Sequence, residues 1–204
     1  MKKFIYCIAL ALSLSSCVSF GPQPKILYNR PEIDSSVAKV DKIIIFPTSS
    51  FQGKSANHIK PLDASINASW VKLYGKDKVI PAGLAIQKIA DSINKDLYGK
   101  FVVILDDISI VEQSLKDENV KNFISKVTEK FGDYQLALAI VSGGEEEYKS
   151  GTTIYLNIGL FDTKTLTWKL ITKTEIKKDK MSNYKLDSQA AVYNSFKVIK
   201  NIIN

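Results

Sequence analysis

Cysteine, histidine and long apolar runs are scarce in this sequence, and each scarcity removes a class of chemistry. The 204 residues include two cysteines, Cys7 and Cys17, and one histidine, His58. Zinc sites built from several His or Cys ligands cannot be assembled from that inventory. The apolar stretch Phe4 to Leu14 has 11 residues and is broken by Ser13, which is short of the roughly 20 residues a permanent transmembrane helix needs. No RNP-like or zinc-finger motif accompanies the basic excess, so no nucleic-acid partner is expected. Gly143-Gly144 has no expected helix behind it to cradle a phosphate, and no cofactor is expected.

The N-terminus does carry a basic start, Met1-Lys2-Lys3 without an acid, and then the short apolar core. That order reads as a secretory leader. Leu14-Ser15-Ser16 then runs directly into Cys17, and the sequence there resembles a bacterial lipobox. In that family a lipid is attached to the thiol, a peptidase recognising Leu14, Ser15 and Ser16 cuts before it, and Cys17 becomes an acylated N-terminus. A cleaved leader with an incidental cysteine, or a buried N-terminal helix, are the competing readings. Cys7 sits inside the apolar run and reads as filler. A single acyl chain contributes about 0.8 kcal/mol per buried methylene and anchors weakly. The several chains carried by family members hold a protein at the membrane. Val18 follows the cysteine where an Asp would favour inner-membrane retention, so a diderm host implies the outer membrane, facing the periplasm.

The expected organisation is a leader over 1–16, a lipidated tether over 17–40 and an α/β domain over 41–204. The tether holds three of the six prolines and lacks clear periodicity; fully extended, it would reach on the order of 75 Å. The chain carries 28 basic and 21 acidic residues, a formal +7 that falls to +5 when Lys2 and Lys3 leave with the leader. Outside the cytoplasm such an excess suits anionic envelope polymers or lipid headgroups, and it is also common on solvated surfaces.

Within the domain, Lys42 to Pro47 reads as a buried strand and Leu62, Ile66, Trp70 and Leu73 as a helix over 62–74. Pro81 opens a helix with Ile86, Ile89, Ile93 and Leu97 on one stripe and Gly99 as its C-terminal cap. "FVVIL" (101–105) is a strand, a helix spans 111–131, and "YQLALAIV" (134–141) is another strand. Residues 152–176 alternate as a hairpin, with Ile154, Leu156, Ile158 and Leu160 inward and Leu166, Trp168 and Leu170 continuing the pattern. Residues 187–203 form a final helix with Ala190, Tyr193, Phe196 and Ile199 on its apolar face. The order β-α-β-α-β-β-β-α implies an α/β class, a single-domain sandwich with a mixed five-stranded sheet covered by helices.

"KIIIFP", "GLAIQKIADSINKDLYGKFVVIL", "YQLALAIVSG" and "YLNIGLFDTKTLTWKL" together resemble the α/β domain of curli-secretion lipoproteins and of the outer-membrane lipoproteins that activate penicillin-binding proteins. The amino-terminal domain of the Tol-Pal translocation protein is related. Asp162, Thr165 and Trp168 match the family's hairpin turn, and Leu166 stands where the family has glycine. The resemblance implies a membrane-anchored, non-catalytic accessory or activator that binds an envelope protein or complex. A self-assembling secretion component, hence a homo-oligomer, is the alternative. A hydrolase built on His58 and Ser49, Ser50 or Ser55 lacks an elbow motif, so no enzyme is expected. Asp106-Asp107 end a strand, where α/β sites form, or else cap a helix. Glu145, Glu146 and Glu147 read as a solvated turn. Lys169, Lys173, Lys177, Lys178 and Lys180 are candidate contacts for an anionic partner, or guards of an edge strand.

Overall fold

The computed structural model describes residues 21–29, 42–50, 59–81, 84, 118–132, 134–178 and 183–203. Its centre is a run with no polar alternation. "QLALAIV" forms strand β5 (Gln135–Val141), with every residue buried, which requires cover on both faces of the sheet. β2 (Ile43–Ile45) lies parallel to it, Ile43 opposite Gln135 and Ile45 opposite Ala137. β4 (Val79–Ile80) flanks β2 in parallel, and β3 (Ser49–Ser50) pairs with the far end of β5. The hairpin strands β6 (Ile154–Asp162) and β7 (Thr167–Ile176) then add antiparallel on the other side. The last neighbour is β1 (Pro24–Asn29), antiparallel to β7, with Pro24 opposite Thr174 and Asn29 opposite Leu170.

The sheet is therefore mixed and its order is β1-β7-β6-β5-β2-β4, seven strands with β3 included. The α/β class and single-domain sandwich are as the sequence implies, but the expected count of five strands was too low. β3 and β4 are too short, at two residues each, to show a period. β1 lies in the stretch expected to be tether, so residues 24–29 of that stretch belong to the sheet. Its Pro24 sits at the start of an edge strand, where the missing N–H costs no ladder bond. The helix expected from Pro81 and the strand expected at 101–105 lie outside the described residues.

Among the described residues, four helices cover the sheet. α1 (Ile59–Tyr74) and α4 (Tyr184–Ile203) pack on one face, joined at α4's N-terminus by the short α3 (Glu145–Lys149); α2 (Glu118–Phe131) covers the other. The alternation divides cleanly. Ile43, Ile45, Ala137 and Ala139 meet Leu62, Ile66 and Trp70 of α1 and Val192 and Ile199 of α4. Ile44, Leu136, Leu138 and Ile140 meet Phe123, Ile124 and Val127 of α2. Phe196 of α4 meets Trp70 of α1 edge-on, with ring centroids 4.8 Å apart. At the α4–β7 seam Ser195 donates to Ala191 O at 2.7 Å, so the 2.7 Å contact with Thr174 has the threonine as donor.

Two expected faces are corrected. Trp168 and Leu170 do not share a face: Leu160 pairs with Leu170 while Phe161 pairs with Trp168, so Lys169 is an extra residue, a β-bulge. Trp168 then joins Phe161 on the α2 side, rings 5.2 Å apart at 77°, and Leu170 joins the other core. On α4 the buried positions are Tyr184, Ser188, Ala191, Val192, Asn194, Ser195, Phe196 and Ile199, so Phe196 and Ile199 lie inward as expected while the 3.6-residue period leaves Tyr193 68% exposed. Leu166 lies outside the strand, in the turn, with φ 53°. A left-handed backbone costs a non-glycine residue about 1 kcal/mol or more, and an exposed leucine recovers little of it. Leu166→Gly is expected to raise stability by about 1 kcal/mol in denaturant unfolding, whereas Leu166→Ala, which keeps the strained Cβ, should not.

Candidate functional site

The chain enters the domain along the outer shoulder of α4. Gly21 has φ +101°, and a Cβ there would stand 3.1 Å from Ala190 Cβ. Only glycine satisfies both the backbone angle and the close approach. Asn194 Nδ2 then donates to Pro22 O at 2.9 Å, and Pro24 begins β1. Leu14, Ser15, Ser16 and Cys17 lie outside the described residues, but four chain steps from Cys17 to Gly21 span no more than about 14 Å.

The five lysines expected to act together are separated by the fold. Lys169, the bulge residue, is buried: its Nζ lies 2.9 Å from Asp162 Oδ2, with the two side chains 8% and 10% exposed. Asp162 Oδ1 also accepts the N–H groups of Lys164 and Thr165, at 2.8 and 3.1 Å, and so organises the hairpin turn. Burial alone would raise the Asp162 carboxyl. The Lys169 hydrogen bond, the two backbone N–H groups and the Lys169 charge outweigh it and hold the group below the ordinary carboxylate range. Lys169 is thus a structural residue and leaves the set of surface contacts.

Lys173 Nζ stands 4.2 Å from the centroid of the Tyr155 ring. Lys177 Nζ pairs with Glu175 at 2.6 Å, and Lys25 approaches the same carboxylate at 3.7 Å. The Lys177 hydrogen bond and charge pull Glu175 below its usual range, and Glu175 raises Lys177 in return. Lys178 donates to Lys149 O at 2.9 Å. Lys180 lies outside the described residues. β7 is not an edge, because β1 covers it, so these lysines do not guard an open strand.

His58, Ser55, Asp106 and Asp107 also lie outside the described residues. Ser49 and Ser50 are the short β3. Glu145–Glu147 open the helix α3 where a plain turn was expected, and Glu147 accepts the Gly144 N–H at 2.9 Å. Three carboxylates in that first turn occupy the end of the helix that an anion would otherwise approach. Among the described residues no group of three His, Cys, Asp or Glu side chains is placed to hold a metal ion, and no helix is long and apolar enough to cross a membrane.

Among the described residues, two surface grooves flank the outer side of α4. One, of about 460 Å³, lies where the chain enters, lined by Gly21, Pro22, Lys25, Glu175, Lys177 and Asp187. The other, of about 510 Å³, runs between α1 and α4. Lys72 of α1 and Tyr193, Lys197 and Lys200 of α4 line it, with Leu73 and Phe196 at its floor. Lys72, Lys197 and Lys200 are exposed and make no ion pair among the described residues. Sequence reasoning missed this groove because its two sides lie more than 100 residues apart. The available signal was Lys197 and Lys200 on the exposed side of α4.

No family model and no curated protein sequence matches the chain significantly. Among solved structures it is similar to a PelC dodecamer from Paraburkholderia phytofirmans, at 7% identity over 89% of this chain and 96% of that one, TM-score 0.45. It is also similar to the lipoprotein GNA1162 from Neisseria meningitidis, at 16% identity over 78% of this chain and 96% of that one, TM-score 0.47.

The buried ion pair yields a test with a defined sign. Asp162 has a lowered folded-state pKa, so its contribution is present above the unfolded value near pH 4 and lost as pH falls through the folded value. Lys169→Met leaves the carboxylate buried without its partner and should cost about 3 kcal/mol at neutral pH. Denaturant titrations at neutral pH and near pH 3 should show the gap between variant and parent narrowing on acidification.

Proposed function

We propose that this protein is a lipoprotein of the bacterial cell envelope, held at the membrane by an acylated Cys17, whose α/β domain acts by binding a partner and not by catalysis. The observation that carries this reading is Leu14-Ser15-Ser16-Cys17, directly behind a basic and then apolar leader. The fastening of Gly21 and Pro22 to α4 supports it, since an anchor at Cys17 would act on the domain through a short lead and not a long tether. What supports binding over catalysis is how the acids in the entry groove are used. Glu175 is held by Lys177 and Lys25, and Asp187 accepts the Tyr148 hydroxyl. The accessory role, serving an envelope protein or complex, is the finer part of the proposal.

A second reading is self-assembly into a secretion or transport complex. The edge strand β1 favours it: its Ile26 is 48% exposed, and an edge strand offers a pairing surface to another copy. The mass of the detergent-extracted, lipidated protein separates the two. A single large oligomer supports assembly, and a monomer supports the accessory role.

The anchor is tested by Cys17→Ala in the native host or a related diderm. That variant is expected to lose metabolic acyl labelling and to accumulate with its leader uncleaved. Normal processing and labelling of the variant would overturn the proposal.

A further inference from the structure

We infer that the outer face of α4, with Lys72 of α1 beside it, lies against an anionic phospholipid surface. The inference rests on the acyl anchor proposed above and names what the anchored domain touches. Leu186, Tyr193, Lys197 and Lys200 are spaced i, i+7, i+11 and i+14 along α4 and so share one stripe of the helix. Leu186 is 57% and Tyr193 68% exposed, the two most exposed large apolar side chains among the described residues. Lys197, Lys200 and Lys72 line one groove with Tyr193 and make no ion pair among the described residues. Apolar side chains beside unneutralised lysines, on a helix whose other side is buried, are the makeup of an interfacial helix face.

Geometry selects a membrane as the occupant. Gly21 packs against Ala190 and Pro22 O is bonded to Asn194, so the lead to Cys17 departs from the shoulder of this same helix. With about 14 Å at most between Cys17 and Gly21, acyl chains in the bilayer keep α4 within reach of the headgroups. α2, by contrast, stands across the full thickness of the sheet. Three lysines close to an anionic surface favour the docked orientation by on the order of 100-fold, an effect that weakens with salt.

The test uses the full chain, expressed, processed and acylated, then reconstituted on preformed vesicles. Acylation of Cys17 and loss of Cys7 with the leader leave no other free thiol. Gln189→Cys, exposed on the α4 stripe, and Lys126→Cys, exposed on α2, each take one environment-sensitive fluorophore. On vesicles containing phosphatidylglycerol the label at 189 should shift to the blue and the label at 126 should not. The shift should be lost in 0.5 M salt, on purely zwitterionic vesicles, and in a Lys72→Gln, Lys197→Gln, Lys200→Gln background. Vesicle-bound protein whose label at 189 stays in water overturns the docking and leaves the anchor standing, as does a shift equal on both lipids. Burial of position 189 only when an acidic partner protein is added would assign the face to protein binding and also overturn it. Failure to float with vesicles of either composition, with no acyl group found by mass spectrometry, overturns the anchor and this orientation together.

Discussion

Everything in this fold follows from a strand that has no face to offer water. All seven residues of β5 are buried, so both sides of the sheet must be roofed before the centre is stable. One roof is α2, whose Phe123 and Val127 are fully buried. The other is α1 with α4, locked by the edge-on contact of Trp70 with Phe196. Because α4 contributes a full stripe of buried positions to that roof, its opposite stripe has to face outward. The basic, partly apolar outer face of α4 is thus a consequence of how the core is closed.

Much of the architecture was legible in local patterns. The unbroken apolar runs at 43–45 and 135–141 gave the parallel centre, and the alternation at 154–160 gave the hairpin. Leu62, Ile66 and Trp70 gave α1 and its buried side, at 1–2% exposure each. The failures have physical causes. A three-residue spacing placed Tyr193 inward, whereas a helix turns every 3.6 residues and carries it outward. β1 has no hydrophobic rhythm because an edge strand is stabilised chiefly by its pairing with β7. The Lys169 bulge was invisible because one inserted residue leaves composition unchanged while inverting the face of every residue beyond it.

The lysines show the same limit at the level of function. Five of them between 169 and 180 look like one patch when read along the chain. In three dimensions Lys169 neutralises a turn-organising aspartate, Lys173 lies over an aromatic ring, and Lys177 pairs with Glu175. A lysine within an ion pair has already spent most of its attraction for a further anion. Lys72, Lys197 and Lys200 keep theirs, and they belong to two helices that only the fold brings together. Counting charge along a sequence therefore does not tell which lysines remain unpaired, because pairing and not density decides which stay available.

The length of the N-terminal lead determines what kind of anchor Cys17 can be. A chain of 23 residues between lipid and domain would let the domain tumble in a volume tens of ångströms deep, and no face would be preferred. Fastening at Gly21 and Pro22 removes most of that freedom. The volume open to a chain end falls steeply as the linker shortens, which raises the effective concentration of the nearby surface at the membrane. Weak contacts that would not hold a freely diffusing domain then suffice to orient one already confined. On the proposed anchoring, membrane attachment and surface charge would act in sequence: the lipid would restrict the distance, and the lysines of the α1–α4 groove would select the face. On that proposal, an α4 face committed to lipid would leave α2, across the sheet, turned away from the membrane and toward a partner.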